Sequence, residues 1–365
     1  MASPLLSAVL EKFIVGFEGT TLPAELKSLL EQGLCGVAIF PRNFSTSEGL
    51  HALTEEIRRA AGPSVVIGID QEGGRRFALP EPFTQWPSAT ELGIVNDLAA
   101  VEQVARCIAQ ELRAAGCNLD FAPMLDLHLQ AASPVTSDRS FGSLPIQVAR
   151  LGEAFIRGLA AEGVLACAKH FPGHGDAQID PHLDLPVFDG SQEQLEKTEL
   201  VPFARAIAVQ VPMIMTAHIL LPKIDAGHPA SLSKKILHEL LREHLSFRGV
   251  ILADDLGMGA IRKQRTPGEA ALETFQAGTD VALLCHDWST VRPAIEAIEQ
   301  SLRLGQLDQV EWAKSHERIA QLRARAVETA LKVLPLNTVG CAEHRSFALE
   351  LRERIKKLPL IGTPK

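Results

Sequence analysis

The segment 169–182 reads KHFPGHGDAQIDPH and gathers Lys169, His170, His174, Asp176, Asp180 and His182 into fourteen residues. Pro172, Gly173 and Gly175 prevent a regular helix, so the segment is a loop that the glycines let fold sharply. His170 and His174 have HxxxH spacing. That spacing makes a zinc-binding face only on a helix, so no metal site is expected. Asp180 and His182 form a different kind of pair. A carboxylate beside an imidazole fixes its tautomer and raises its basicity. Such a histidine can give a proton to a leaving group and later take one from water. An Asp-X-His pair is also what a solvated surface loop carries. A second candidate is the pair Asp254 and Asp255, which follows the apolar run GVILA. A carboxylate there can attack an anomeric carbon and form a covalent glycosyl intermediate, or it can cap the next segment. Adjacent residues at a strand end point in opposite directions, so one of the two is expected to serve chemistry.

These groups need a scaffold, and the sequence supplies a repeating one. Continuous apolar runs occur at 14–19, 36–40, 64–70, 117–123, 165–171, 213–219, 249–255 and 280–286. Runs of this kind suit strands buried on both faces, as in a parallel sheet. Helical patterning fills 24–33, 46–61, 98–116, 146–163, 193–210, 233–245, 267–277 and 289–304, with Gly33, Gly116, Gly163, Gly278 and Gly305 at or after helix ends. Eight strand–helix units predict a single α/β (β/α)8 TIM-type barrel. A doubly wound open sheet is the alternative, but no GxGxxG turn follows the first strand. Asp70, Asp120, Asp126, Lys169, His170, His218, Asp254, Asp255, His286 and Asp287 then fall at or near strand ends. In such a barrel that rim is where active sites form. An additional helix is expected over 308–333. The tail, 334–365, has a helical stretch near 342–356 that packs on the barrel or trails from it. The expected organisation is one catalytic barrel domain, 1–333, and this C-terminal tail.

The 365 residues are 46% apolar and 22% charged, with net charge -8, as in an ordinary soluble globular protein. No basic face marks a nucleic-acid partner. No apolar run is long enough to span a membrane, and the N-terminus lacks a basic region followed by an apolar core, so neither a membrane span nor a signal peptide is expected. Cys35, Cys107, Cys117, Cys167, Cys285 and Cys341 include no CxxC pair, and free thiols of a reducing compartment are expected.

The ordered segments DQEGGR (70–75), NLDFAPMLDL (118–127), DRSFG (138–142), KHFPGHGD (169–176) with DPH (180–182), MTAHI (215–219) and ADDLGM (253–258) strongly resemble bacterial β-N-acetylglucosaminidases of glycoside hydrolase family 3. The resemblance covers roughly residues 10–330. It implies that Asp254 is the nucleophile, His182 the acid/base and Asp180 its partner, and that Asp70, Arg139, Lys169 and His170 hold the sugar hydroxyls. For Arg139 a salt bridge buttressing the loop is the other reading. The implied reaction is retaining hydrolysis of terminal β-linked N-acetylglucosamine from peptidoglycan fragments in which that sugar is carried on anhydro-muramic acid. It needs no cofactor, and a cytoplasmic monomer is expected. Three positions depart from the family pattern: Pro181 stands where serine is usual in Asp-X-His, Arg76 follows Arg75 without the usual intervening residues, and Gly257 replaces a serine. Three rivals stay open on sequence alone: a glycosidase of other sugar preference, a phosphorylase, and a non-catalytic sugar-binding barrel.

Overall fold

The computed structural model describes residues 3–75, 77–130, 133, 135–174, 179–330 and 334–358. Arg76, Gly175, Asp176, the end of the helix expected over 308–333 and the last residues of the tail lie outside them. Eight parallel strands close a barrel in chain order: Phe13–Val15, Gly36–Ile39, Val66–Ile69, Leu119–Asp120, Leu165–Phe171, Met213–Thr216, Val250–Ala253 and Val281–Leu284. The eighth returns to the first, with Phe13 beside Ala282 and Ile14 beside Leu283. Each strand lies within or across one of the eight expected runs. The fold is a (β/α)8 barrel with helices around it.

Strand alternation divides each run between two cores. Ile14, Val66, Leu165, Cys167, Met213, Met215, Val250, Leu252, Val281 and Leu283 pack together inside the barrel. Their neighbours Val15, Ile67, Ala166, Ala168, Ile214, Ile251, Ala253 and Ala282 pack in the outer core with residues of the helices. Burial of each of the valine, leucine, isoleucine and methionine side chains contributes about 1.5–3 kcal/mol. Ile319, Leu322 and Ala326 of the helix Gln309–Ala330 join the interior cluster, so this helix closes one end of the barrel. The other end, where the strands finish, is left for the polar groups. Continued past the strands, the interior parity reaches Asp70, Lys169 and Asp254. Asp255 and His286 fall on the opposite parity.

The expected helix over 193–210 is two helices, Gln192–Lys197 and Leu200–Ala208. Pro202 has no N–H to donate to the Thr198 carbonyl, and the ladder breaks there. The stretch expected over 233–245 is helical over Lys235–His244, but with the wider π repeat. A hairpin of Leu220–Leu221 with Asp225–Pro229 follows the sixth strand, and the sequence reading had not marked it. Of the two readings of the tail, packing is the one observed. Helix Ala342–Lys357 buries Ala348 and Leu351. Phe347 meets Trp86 at 6.1 Å between ring centres, and His344 sits 2.8 Å from Glu111. Cys35, Cys107, Cys117, Cys167 and Cys285 are buried free thiols, and Cys341 is partly exposed. No helix among the described residues is long and apolar enough to cross a membrane.

Candidate active site

The site is built at the C-terminal ends of the strands. Asp70 follows the third strand and Lys169 lies in the fifth. Lys169 Nζ is 2.5 Å from Asp70 Oδ1 and 2.6 Å from Glu72 Oε1. Arg139 meets Glu72 through two parallel bonds, Nε to Oε2 and Nη2 to Oε1, both 2.8 Å. The Phe77 ring lies 4.1 Å from the Arg139 guanidinium. Both readings of Arg139 therefore have a place: its guanidinium makes a buried salt bridge, and the residue also lines the pocket. Burial opposes the charge on Glu72, but Arg139 and Lys169 overcome it and hold the carboxyl at about 2. The charged acceptors in turn hold the Lys169 ammonium above its ordinary range in spite of burial.

His170 is aimed by a residue the sequence reading noted but gave no role. Asp126 Oδ2 lies 2.7 Å from His170 Nδ1, and Asp126 Oδ1 accepts the His174 N–H at 2.8 Å. The Nδ1–H bond fixes the tautomer and leaves Nε2 available. His174 is buried and lines the same pocket, yet neither ring nitrogen has a partner among the described residues. Burial pushes its imidazole down to about 4, so it is neutral. Asp120 is also buried and is pushed well above the ordinary carboxylate range, first by burial. Its Oδ1 accepts the Gln71 N–H at 3.0 Å, and its Oδ2 has no partner among the described residues. Glu72, His174 and Asp120 are groups at the site to which the sequence gives no role.

The two aspartates after the seventh strand are in different circumstances. Asp255 is tied at both oxygens. Its Oδ1 accepts from Gly257 N and Cys285 N, both at 3.0 Å, and its Oδ2 pairs with His286. Gly257 therefore needs only its backbone N–H for this contact. Asp254 is partly exposed, and among the described residues its bond is from the Asp255 N–H to Oδ1, at 2.8 Å. Burial works against its charge. The His218 and His170 imidazoles, the Asp255 N–H and His182 outweigh that and hold the carboxyl below its ordinary value. His218 is itself buried, with Nε2 3.0 Å from the Asp255 carbonyl and Nδ1 2.7 Å from Ser231 Oγ. The carbonyl can only accept, so Nε2 carries the proton and Ser231 donates to Nδ1.

The loop bearing Asp180 and His182 closes this pocket. Asp180 Oδ1 accepts from both the backbone N–H and Nδ1 of His182, at 2.9 and 2.8 Å. Nε2 is left to exchange protons. The side chain of His182 is 53% exposed, which puts it at the mouth of the site. Pro181 lacks an N–H, but its carbonyl accepts from Ala260 N at 3.0 Å. The His182 carbonyl accepts from Gly259 N at 3.2 Å. A Cβ at Gly259 would stand 2.5 Å from the His182 carbonyl oxygen, so glycine is what lets the loop dock on the turn after Asp254. Phe77, Val135, Arg139, His170, His174, Asp180, Pro181, His182, Asp254 and Met258 line one pocket. Asp70 and Lys169 join it through the Glu72 network. A roomier cavity of about 380 Å³ lies at the opposite end of the barrel and includes none of these residues.

Glu72→Gln tests this network. A carboxyl whose ordinary value is 4.5 and which is held at about 2 contributes about 3 kcal/mol above pH 4.5, lost as pH falls toward 2. The amide leaves two buried cations without their shared anion, a loss of about 3–5 kcal/mol. Denaturant unfolding at neutral pH should show that loss, and the variant should lack the wild-type fall in stability between pH 4.5 and 2. Stability within 1 kcal/mol of the wild type would show that the network does not hold the loops.

The chain matches the description "Glycosyl hydrolase family 3 N terminal domain" over residues 14–322. It is 33% identical over 362 residues to Beta-hexosaminidase A of Pseudoalteromonas piscicida, covering 91% of this chain and 60% of that protein. It therefore spans less than two thirds of that relative's length. Among solved structures, a glycoside hydrolase family 3 β-N-acetylglucosaminidase from Paenibacillus sp. str. FPU-7 superposes with a TM-score of 0.92 at 33% identity, over 97% of this chain and 69% of the other. NagZ from Neisseria gonorrhoeae, solved in complex with N-trifluoroacetyl-D-glucosamine, superposes with a TM-score of 0.74 at 33% identity, over 93% and 97% of the two chains. A match that runs from the first strand of the barrel into the helix that closes its base leaves one conclusion: the chain belongs to glycosyl hydrolase family 3.

Proposed function

We propose that this family 3 hydrolase is a retaining exo-β-N-acetylglucosaminidase. The reading rests above all on the contrast between Asp254 and Asp255: one carboxylate is tied at both oxygens, while the other is ionised and keeps Oδ2 without a partner among the described residues. In the proposed reaction His182 Nε2 protonates the glycosidic oxygen while Asp254 attacks the anomeric carbon. Water that gives its proton to His182 then opens the glycosyl ester, and two displacements return the original configuration. Asp180 keeps the ring in the required tautomer. Asp70, Arg139, Lys169 and His170 hold the sugar hydroxyls. The carboxyl-separation rule does not apply, because the acid/base is an imidazole.

The sugar preference is supported by the Paenibacillus and Neisseria structures, one a β-N-acetylglucosaminidase and the other bound to an N-acylglucosamine. The proposed natural substrate is a peptidoglycan fragment, N-acetylglucosamine on anhydro-muramic acid, handled by a monomer in the cytoplasm. The half-exposed position of His182 suits such an aglycone, since a bulky leaving group can extend from the mouth. The test is a chromogenic aryl β-N-acetylglucosaminide beside the matching β-glucoside. The expected preference in kcat/KM is roughly 10²-fold or more, with a rate that inorganic phosphate does not raise. Equal rates on the two sugars would sink the assigned preference, and phosphate-dependent release would make the enzyme a phosphorylase.

A further inference from the structure

His286 closes the eighth strand and has no part in the reaction as written above. Its Nδ1 pairs with Asp255 Oδ2. Its ring stands edge to face against His182, with ring centres 5.8 Å apart and planes at 78°. On its other side lies Phe40 at 6.4 Å, whose ring is covered in turn by Arg42 at 4.2 Å. Arg42 donates to the Cys285 carbonyl at 2.8 Å, which holds that wall together. The charged or titratable groups around His286 are thus Asp255 and Asp254 from the seventh strand, Arg42 from the segment after the second, and His182 with Asp180 from the loop.

We propose that His286 is a positioning residue for His182: anchored by Asp255, it holds the His182 ring in place for proton transfer at the sugar site. The proposal rests on the reading of His182 as the acid/base. Asp255 fixes His286, and the edge-to-face contact restricts the rotation of a side chain that is otherwise half exposed. The bond to Asp255 also raises the His286 imidazole above its ordinary value. Asp255 thereby acquires a second task, since it carries His286 on its side chain and Asp254 on its backbone N–H.

The test uses the full chain and two substrates, an aryl and an alkyl β-N-acetylglucosaminide. His286→Asn keeps a donor for Asp255 but removes the ring and its charge. Its kcat on the alkyl substrate should fall about tenfold, with a smaller loss on the aryl substrate and KM nearly unchanged. In a His182→Ala background, His286→Asn should add almost nothing on the alkyl substrate. Equal losses on both substrates, or full additivity in the double variant, would overturn the proposal. His182→Ala alone separates the two readings. If it shows no dependence on the leaving group, the acid/base assignment falls and this proposal falls with it. If it shows that dependence while His286→Asn behaves as wild type, the positioning role alone is wrong.

Discussion

Asp254→Asn is expected to abolish turnover, by at least about 10³-fold in kcat, with the fold intact. The amide is nearly isosteric, and among the described residues Asp254 takes one bond, from the Asp255 N–H, which an amide oxygen can still accept. What is lost is the anion. The wild-type carboxyl is held below its ordinary value by surrounding imidazoles in spite of burial, so it is ionised throughout the neutral range and an amide cannot replace it as a nucleophile. Asp255→Asn should behave differently. It disturbs the bond to His286 and the seat of the Gly257 and Cys285 N–H groups, so stability should fall while the chemistry is only weakened. The two roles can also be separated by product. With Asp254→Ala and added azide, the anion takes the empty place below the sugar and gives the α-glycosyl azide. Near-native activity in Asp254→Asn together with an inactive Asp255→Asn would reverse the assignment within the pair.

The ends of the strands were legible because the chemistry there is local. A continuous apolar run that finishes in Asp70 or in Asp254 says where the strand ends, and parity says which side chains, Lys169 among them, face inward. The tightness of the Asp180–His182 pair follows from a spacing of two residues. What the sequence could not show is pairing across long separations. Glu72 gains its importance from Arg139 and Lys169, 67 and 97 residues further on. The signal available for it was its charge beside two glycines in a segment otherwise headed for burial. His174 shows in the sequence as half of an HxxxH spacing, and its burial depends on packing that the spacing does not reveal. The tail was undecidable for the same reason, because His344 finds Glu111 across 233 positions. The split near Thr198 was readable, since Pro202 three residues inside a helix marks a break. Pro181 and Gly259 are an intermediate case. The proline could be seen to remove a donor, but only the fold shows that the same loop uses its carbonyls, not its N–H groups, to dock beside Asp254.

His182→Ala is expected to divide substrates by leaving group. An alkyl or sugar aglycone leaves as a poor anion and needs the proton from His182, so its release should slow by about 10²–10⁴-fold. An activated aryl group departs without protonation, so formation of the glycosyl-enzyme should be nearly normal. The second step then limits, because no base takes the proton from water, and the first turnover should appear as a burst. Azide, which needs no general base, should restore turnover by attacking that intermediate from the upper face. The product is the β-glycosyl azide, the opposite anomer from the one expected for Asp254→Ala. Asp180→Asn should give a milder form of the same pattern. The amide retains an oxygen for the His182 N–H groups now bound at 2.9 and 2.8 Å, but it no longer supplies the charge that stabilises the protonated ring. A histidine that merely touched the sugar would weaken every substrate by one common factor and leave no burst. Equal losses on an aryl glycoside and a natural disaccharide, with no glycosyl-enzyme detectable by mass, would therefore remove His182 from the proton transfer and leave the loop as a wall of the binding site.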